Sequence, residues 1–538
     1  MKKILEKMLL LSLIAFALSS CSDWLDLTPS DRLSNKVIWE EKSSVDLYVN
    51  GFYTYLSQYG QFGDQQFQGS LTESLTNTFK YGSYALGHKA GHPNNYVFNA
   101  ATVTPASCFY DNWTDGYNKI RRMNEFLHAM KKHSGFSSEE NTLWEAQVRF
   151  FRAFMYFQLA KRHGGVILYE SLEQMEKNKA RSTEEETWNL VESDLNYAIA
   201  NLPDSWPAGE KGRVTKLMAQ AFKSRAMLYA KRWQAAYDAA EAVINSGAYG
   251  LMEKYADSWK GSNKEAILEF RYDAIGPNHG FDKDYVPLSD GYEHGALGTP
   301  TQEMVESYEK KDGSKMDWSP YHTATAVRPP YEDLEPRFHA TIIYPGSTWK
   351  GKVMENSVGG VNGTFMAYRE QPYSYGHTTT GYFLRKLMDE SLIDIKGKAS
   401  SQTWVELRYA EVLLNKAEAA FRLNRMAEAA QAMNQVRARV ALPAKTSEGE
   451  EWFRDYRNER QVELAYEGQL FWDMRRWKLA HIEYSKYRCH GFKITGTNYE
   501  YIDVDYQDRQ FSERTYVLPI PNTELQNNSL IEQYDEWK

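Results

Sequence analysis

Little in this 538-residue chain points to nucleic acid, a disulfide framework or a membrane-spanning bundle. Its 63 Lys and Arg against 71 Asp and Glu give a formal charge of −8, so the basic field that phosphate binding needs is missing. Three cysteines are too few for a disulfide scaffold. Cys108 and Cys489 read as buried free thiols, with pairing in an oxidising compartment left open. Catalytic signatures are equally scarce: there is no G-x-S-x-G, H-E-x-x-H, P-loop or C-x-x-C. Ser307 and Lys310 form a lone S-x-x-K of the kind chance supplies. His88 and His92 sit among Gly87, Gly91 and Pro93, so the loop between them removes the shared helical face a metal pair would need. No metal site or cofactor is expected, while a structural calcium ion is left open.

The N-terminus is an address. Lys2, Lys3 and Lys7 precede the apolar run from Met8 to Leu18. That run is well short of the about 20 residues that span a bilayer, and it has the anatomy of a secretory signal. Leu18-Ser19-Ser20-Cys21 then resembles a bacterial lipobox, which predicts removal of residues 1–20 and lipidation of Cys21. The body would contact the bilayer only through that anchor. Ser22, in place of Asp, favours the outer membrane.

Most of the remaining chain reads as amphipathic helices. Ser137 and Glu140 predict a capping box opening a helix to about Arg162, with Val148, Phe151, Met155 and Leu159 as its buried stripe. A second helix is expected from Thr183 to Asn201. Leu217, Ala221, Ser224 and Leu228 mark another, and Trp233, Ala236, Ala240 and Val243 the next, with Gly247 as its C-cap. Downstream, Leu407, Ala410, Leu414, Ala417 and Phe421 precede a turn at 422–425 and a helix to Arg439. Alanines at the contact positions let helices approach closely, a pattern that resembles tetratricopeptide repeats.

Two stretches interrupt this texture. Residues 52–113 hold 14 aromatics, and residues 272–383 hold 9 of the 17 prolines and 13 glycines. Long loops on a rigid scaffold usually carry function.

Glu459, Glu463 and Glu467 share one helical stripe, and Asp473 follows. Paired carboxylates are what glycosidases use. Arg460, Arg475 and Arg476 lie among them, so structural ion pairing is the expected role, as it is for Glu411, Glu418, Arg149 and Arg152.

Taken in order, these segments resemble the SusD/RagB family of Bacteroidota outer-membrane lipoproteins. The resemblance runs through Cys21-Ser-Asp-Trp-Leu-Asp26-Leu-Thr-Pro29, then Trp113, Tyr117, Ile120 and Asn124, then Glu145 to Ala153 with Gly164-Gly165, and Gly212-Arg213-Val214. It continues through Leu407 to Ala419, Asn434, Arg437 and Arg439. It ends with Glu459-Arg460, Trp472-Asp473, Arg475-Arg476-Trp477 and Tyr516-Val-Leu-Pro519-Ile-Pro521. Departures are Asn458, Gln469 and His163, all at scaffold positions.

The resemblance implies a mostly α fold: a tetratricopeptide-like helix-pair scaffold, with long irregular loops and a few short strands forming the binding face. Residues 21–538 would be one domain, with scaffold at 114–271 and 384–538 and binding-face insertions at 52–113 and 272–383. It further implies a non-enzymatic lid that captures glycan for a SusC-like TonB-dependent transporter, lipid-anchored and facing the cell exterior.

Sugar C–H faces pack on aromatic rings while amides, carboxylates and guanidinium groups meet the hydroxyls. The glycan-binding candidates on that reasoning are Tyr81, Tyr84, Asn94, Asn95 and Tyr96 in the first insertion. In the second they are Asp317, Trp318, Tyr321, Trp349, Arg369, Tyr373 and Tyr375. A peptide-binding RagB-type member is the first alternative. A helical glycoside hydrolase and a repeat-type adaptor are the others.

Overall fold

The computed structural model describes residues 36–63, 71–81, 103–108, 110–175, 178–367, 376–505 and 508–538. The principal helices are α1 (Lys42–Phe52), α2 (Thr54–Tyr59), α3 (Trp113–His133), α4 (Ser138–His163), α5 (Glu184–Asn201), α6 (Lys216–Tyr229) and α7 (Trp233–Asn245). After the loop half come α8 (Tyr409–Arg422), α9 (Met426–Arg439), α10 (Gly449–Glu463) and α11 (Leu470–Arg476).

Helices α3 to α9 form a stack in which each packs on the next. The stack closes α7 onto α8 although all of 246–408 intervenes. Small side chains permit that contact: Ala236, Ala240, Ala410 and Ala417 are fully buried. The chain is therefore mostly α, with the tetratricopeptide-like arrangement the alanine pattern implied.

Local chemistry sets the helix ends. Ser137 Oγ accepts from the Glu140 N–H at 3.2 Å, while the Glu140 carboxylate accepts from the Ser137 N–H at 3.1 Å. Thr183 and Glu186 repeat the device at the start of α5, which the sequence reading did not single out. Gly247 follows α7 at φ 66°, and Asn424 turns the chain between α8 and α9 at φ 61°.

The loop half has its own apolar core. Phe79, Tyr285, Trp318, Tyr331, Trp349, Phe383 and Phe492 belong to it, separate from the core inside the helix stack. Short antiparallel strands frame it. β1 (Phe79–Tyr81) pairs with β3 (Gly298–Pro300), and β2 (Ala266–Phe270) pairs with β4 (Trp404–Arg408). The longest pair is a hairpin of β5 (His490–Thr495) and β6 (Asn498–Asp503).

Buried ion pairs join the two halves. Arg408 reaches Glu265 at 2.7 Å, Glu463 at 2.6 Å and Glu467 at 2.8 Å. Arg337, from the loop half, pairs with Glu335, Glu459 and Glu463, while Arg437 takes Glu459 and Arg439 takes Glu463. These glutamates are thus paired, but by different arginines from those adjacent in sequence, and Glu467 lies past the end of α10 instead of on its stripe. Arg460 and Arg476 instead hold Asp473, and Arg476 also holds Glu418. Arg475 spends its guanidinium on main-chain carbonyls at Thr515 and Tyr516. Arg149 and Arg152 both reach Asp194, and Glu411 pairs with Arg225.

The family departures are absorbed by hydrogen bonds. Asn458 donates to the Ser307 carbonyl at 3.0 Å, and His163 bridges Asp111 and the Leu518 carbonyl. Gln469 donates to the Glu467 carbonyl at 3.4 Å. Cys108 and Cys489 are both free thiols.

Some buried acids run against the pattern, Glu73 among them. Glu73 accepts from the Gly468 N–H at 2.9 Å, yet burial pushes its pKa up from 4.5 to about 7. A carboxyl whose folded pKa is raised stabilises in its neutral form, and that contribution is lost as pH rises from about 4.5 through about 7. Glu73→Gln is therefore expected to raise the urea midpoint at pH 8 and leave it unchanged at pH 4.5. Equal shifts at the two pH values would contradict this.

Candidate functional site

The hairpin and the loop before Arg328 build a partly exposed aromatic array. Gly496, at φ 59°, occupies the first position of the two-residue turn joining β5 to β6, where a positive φ is needed. In that register His490 faces Asp503, and Phe492 faces Tyr501. The loop is tied alongside: the Thr325 N–H donates to the Tyr499 carbonyl at 2.8 Å, and Tyr499 returns the bond at 2.7 Å. That pairing carries His322 onto the Tyr501 ring.

The result is a three-ring stack. His322 lies 4.5 Å from Tyr501 at an interplanar angle of 29°, and His490 lies 4.6 Å from it at 14°. A short helix, Gln302–Glu306, capped by the Thr301 side chain, supplies two carboxylates to the stack. Glu306 accepts from His322 Nε2 at 2.7 Å. Glu303 accepts from His490 Nδ1 at 2.6 Å and from the Tyr487 hydroxyl at 2.5 Å. Asp503 lies 3.3 Å from His490 Nε2.

Burial works against a charged imidazole at His490. The hydrogen bond and charge of Glu303, helped by Asp503, outweigh it and hold the pKa above the ordinary histidine value. Burial, then the charges of Glu303, Glu306 and Asp503, push the Tyr501 phenol far above its usual range. Tyr501 therefore stays a neutral hydroxyl at every physiological pH. Rings, hydroxyls and carboxylate acceptors on one accessible surface are what a sugar ligand requires.

The sequence candidates divide into three groups. Tyr84, Asn94, Asn95, Tyr96, Arg369, Tyr373 and Tyr375 lie outside the described residues, as does Cys21. Asp317 and Tyr321 lie on the loop that carries His322. Asp317 is exposed and closes a turn by accepting from the Ser319 N–H and hydroxyl. Tyr321 is half-buried, 6.0 Å from Trp318.

Tyr81, Trp318 and Trp349 are not open platforms, and for them the expectation is corrected. Trp349 is fully buried, its indole N–H donating to Asp290 at 3.0 Å. Trp318 is 5% exposed within the second core, and Tyr81 is 7% exposed, where β1 pairs with Gly298. Their apolar faces are consumed by packing. Trp349→Ala is accordingly expected to cost about 3–5 kcal/mol of folding stability, read as a lower urea midpoint. An unchanged midpoint would show the ring to be dispensable to the core.

The sequence reading missed Tyr501, His490 and His322. The first two fall within the stretch assigned to scaffold. The available signal was the alternation through Tyr499-Glu500-Tyr501, which marks a strand with one aromatic face.

A second concave surface lies on the scaffold, between α1, α2 and α3, with a volume of about 540 Å³. Its rings are already covered. Lys119 sits 5.3 Å over Tyr55, and Tyr48 stacks on Phe126 at 5.8 Å. Among the described residues, no group of three His, Cys, Asp or Glu could hold a metal ion, and no helix is long and apolar enough to cross a membrane.

Comparison with known proteins decides the family. The model described as "SusD family" matches residues 264–537, and one described as "Starch-binding associating with outer membrane" matches residues 23–228. The chain belongs to the SusD family. A SusD-like protein of Formosa agariphila is 25% identical, over 97% of both chains. Among solved structures, a SusD-like protein from Bacteroides fragilis superposes with a TM-score of 0.79. It is 28% identical and covers 94% of this chain and 98% of its own. A laminarin-binding SusD-like protein shares the fold with a TM-score of 0.64 and 20% identity, covering 92% of this chain and 99% of its own. The SusD-family hairpin and its facing loop both fall inside the region matched at 264–537.

Proposed function

We propose that this SusD-family protein captures glycan at the array of His322, Tyr501 and His490 and delivers it to a SusC-like TonB-dependent transporter. The observation that carries the reading is the accessible ring stack edged by Glu303, Glu306 and Asp503. A lipidated Cys21 would tether the body at the outer membrane, facing the exterior. Two or three ring contacts at about 1 kcal/mol each, with a few hydrogen bonds, correspond to micromolar to millimolar affinity. Such weak capture suits a protein that must hand its cargo on.

The carboxylates of the α10 stripe are poor candidates for hydrolysis. Burial raises the pKa of Glu463, but Arg439, Arg408 and Arg337 outweigh it and hold the carboxyl far below its ordinary range. A glycosidase acid needs the opposite shift.

Calorimetric titration of the purified protein with neutral oligosaccharides and with mixed peptides separates glycan capture from the peptide-binding alternative. Laminarin is the first polysaccharide to include, given the ligand of the structural neighbour. Heat with a glycan and none with peptides supports the proposal. The reverse result would replace it with peptide capture.

A further inference from the structure

The charges around the ring stack bear on which glycans it accepts, an inference that rests on the proposed glycan-binding reading of the same site. Glu303 and Glu306 reach the stack from the short helix and Asp503 from β6, while Asp317 lies on the loop that carries His322 and bonds Ser319. Two arginines are paired at this edge, Arg488 with Asp503 and Asp508, and Arg328 with Glu332. The imidazoles of His322 and His490 are already engaged by Glu306 and Glu303. The array thus presents carboxylate oxygens, which only accept hydrogen bonds, and carries more negative than positive charge.

We infer that the site selects uncharged glycans, whose hydroxyls donate to these carboxylates, and rejects glycans bearing uronate or sulfate groups. A sugar hydroxyl supplies the missing donor and adds no charge. An anionic substituent supplies no donor and meets several like charges. At an effective dielectric between those of water and protein, one carboxylate about 6 Å from such a group is worth roughly a tenfold loss of affinity. Two or more within that range make the discrimination steep.

The test is affinity electrophoresis of the wild-type protein in gels containing neutral polysaccharides (laminarin, xyloglucan, galactomannan, starch) or anionic ones (alginate, pectate, carrageenan, carboxymethylated laminarin). The expected result is retardation by a neutral polysaccharide and at least tenfold weaker retardation by the anionic set at low salt, with the gap narrowing as salt is added. The double variant Glu306→Gln with Asp503→Asn removes two rim charges, and it should bring an anionic glycan closer to its neutral counterpart. Should this double variant misfold, the salt series on the wild type alone decides. Stronger retardation by an anionic glycan at low salt would overturn the selectivity while leaving glycan capture standing. No retardation by any polysaccharide would overturn both.

Discussion

Glu463→Gln is expected to destabilise the protein by about 3–5 kcal/mol, the cost of breaking a buried ion pair from one side. Its carboxylate is fully buried and faces Arg337, Arg408 and Arg439 together. The substitution keeps the shape and removes the charge, so three desolvated guanidinium groups share fewer acids. The effect should exceed that of any surface pair, because water does not compensate for the lost partner. Arg488→Ala, which breaks exposed pairs with Asp503 and Asp508, serves as the comparison and should leave the urea midpoint unchanged.

A second buried cluster, Glu418 and Asp473 with Arg460 and Arg476, adds to the acid limb of the stability profile. Burial raises the Glu418 pKa, but Arg476 and Arg460 outweigh it and hold the carboxyl at about 2 against an ordinary 4.5. A depressed folded pKa contributes stability that is complete above about 4.5 and is lost as pH falls toward about 2. Midpoints measured from pH 6 to pH 3 should therefore fall, and Glu463→Gln should flatten part of that fall. A variant as stable as wild type at pH 7 would show that the ion pairs do not hold the two halves together.

Tyr501→Ala is the second large effect, and it falls on binding instead of folding. The ring is the middle member of the stack, so its removal leaves His322 and His490 without a shared surface. Loss of the ring edge and hydroxyl that meet the sugar, and of the imidazole placement that the ring fixes, amounts to roughly tenfold in affinity. Tyr501 is only half-buried, so the variant should still fold, with a melting temperature lowered modestly by the lost stacking contacts. Tyr501→Phe separates the contributions: it keeps the stack and should retain most of the affinity. Calorimetry showing Tyr501→Ala as tight as wild type would remove the ring from the site.

How far the sequence could be read follows from the range of the interactions. The capping box at Ser137 and Glu140, and the buried stripe from Val148 to Leu159, rest on neighbours three or four residues apart. The alanine contacts of α7 and α8 were legible as surfaces, although nothing in the sequence paired those two helices. For the glutamate stripe the pairing was foreseeable but the partners were not. Arg337 lies in the loop half and Arg408 at the start of α8, and only the fold brings them to Glu463. Trp318 and Trp349 were misread for a related reason. A Gly- and Pro-rich stretch suggests surface loops, but this one folds over its own core, which takes up the large rings. His322, Tyr501 and His490 come from separate segments, so their stacking exists only in three dimensions.

The central claim is that the partly exposed ring array, and not the buried tryptophans, captures glycan. Its most direct test is affinity electrophoresis of residues 22–538, with wild type and Tyr501→Ala run side by side through gels containing a panel of polysaccharides. Retardation of the wild type by one glycan class, lost in Tyr501→Ala while the variant still melts cooperatively, is the predicted result. Equal retardation of the two proteins, or none for the wild type in any gel, would contradict it.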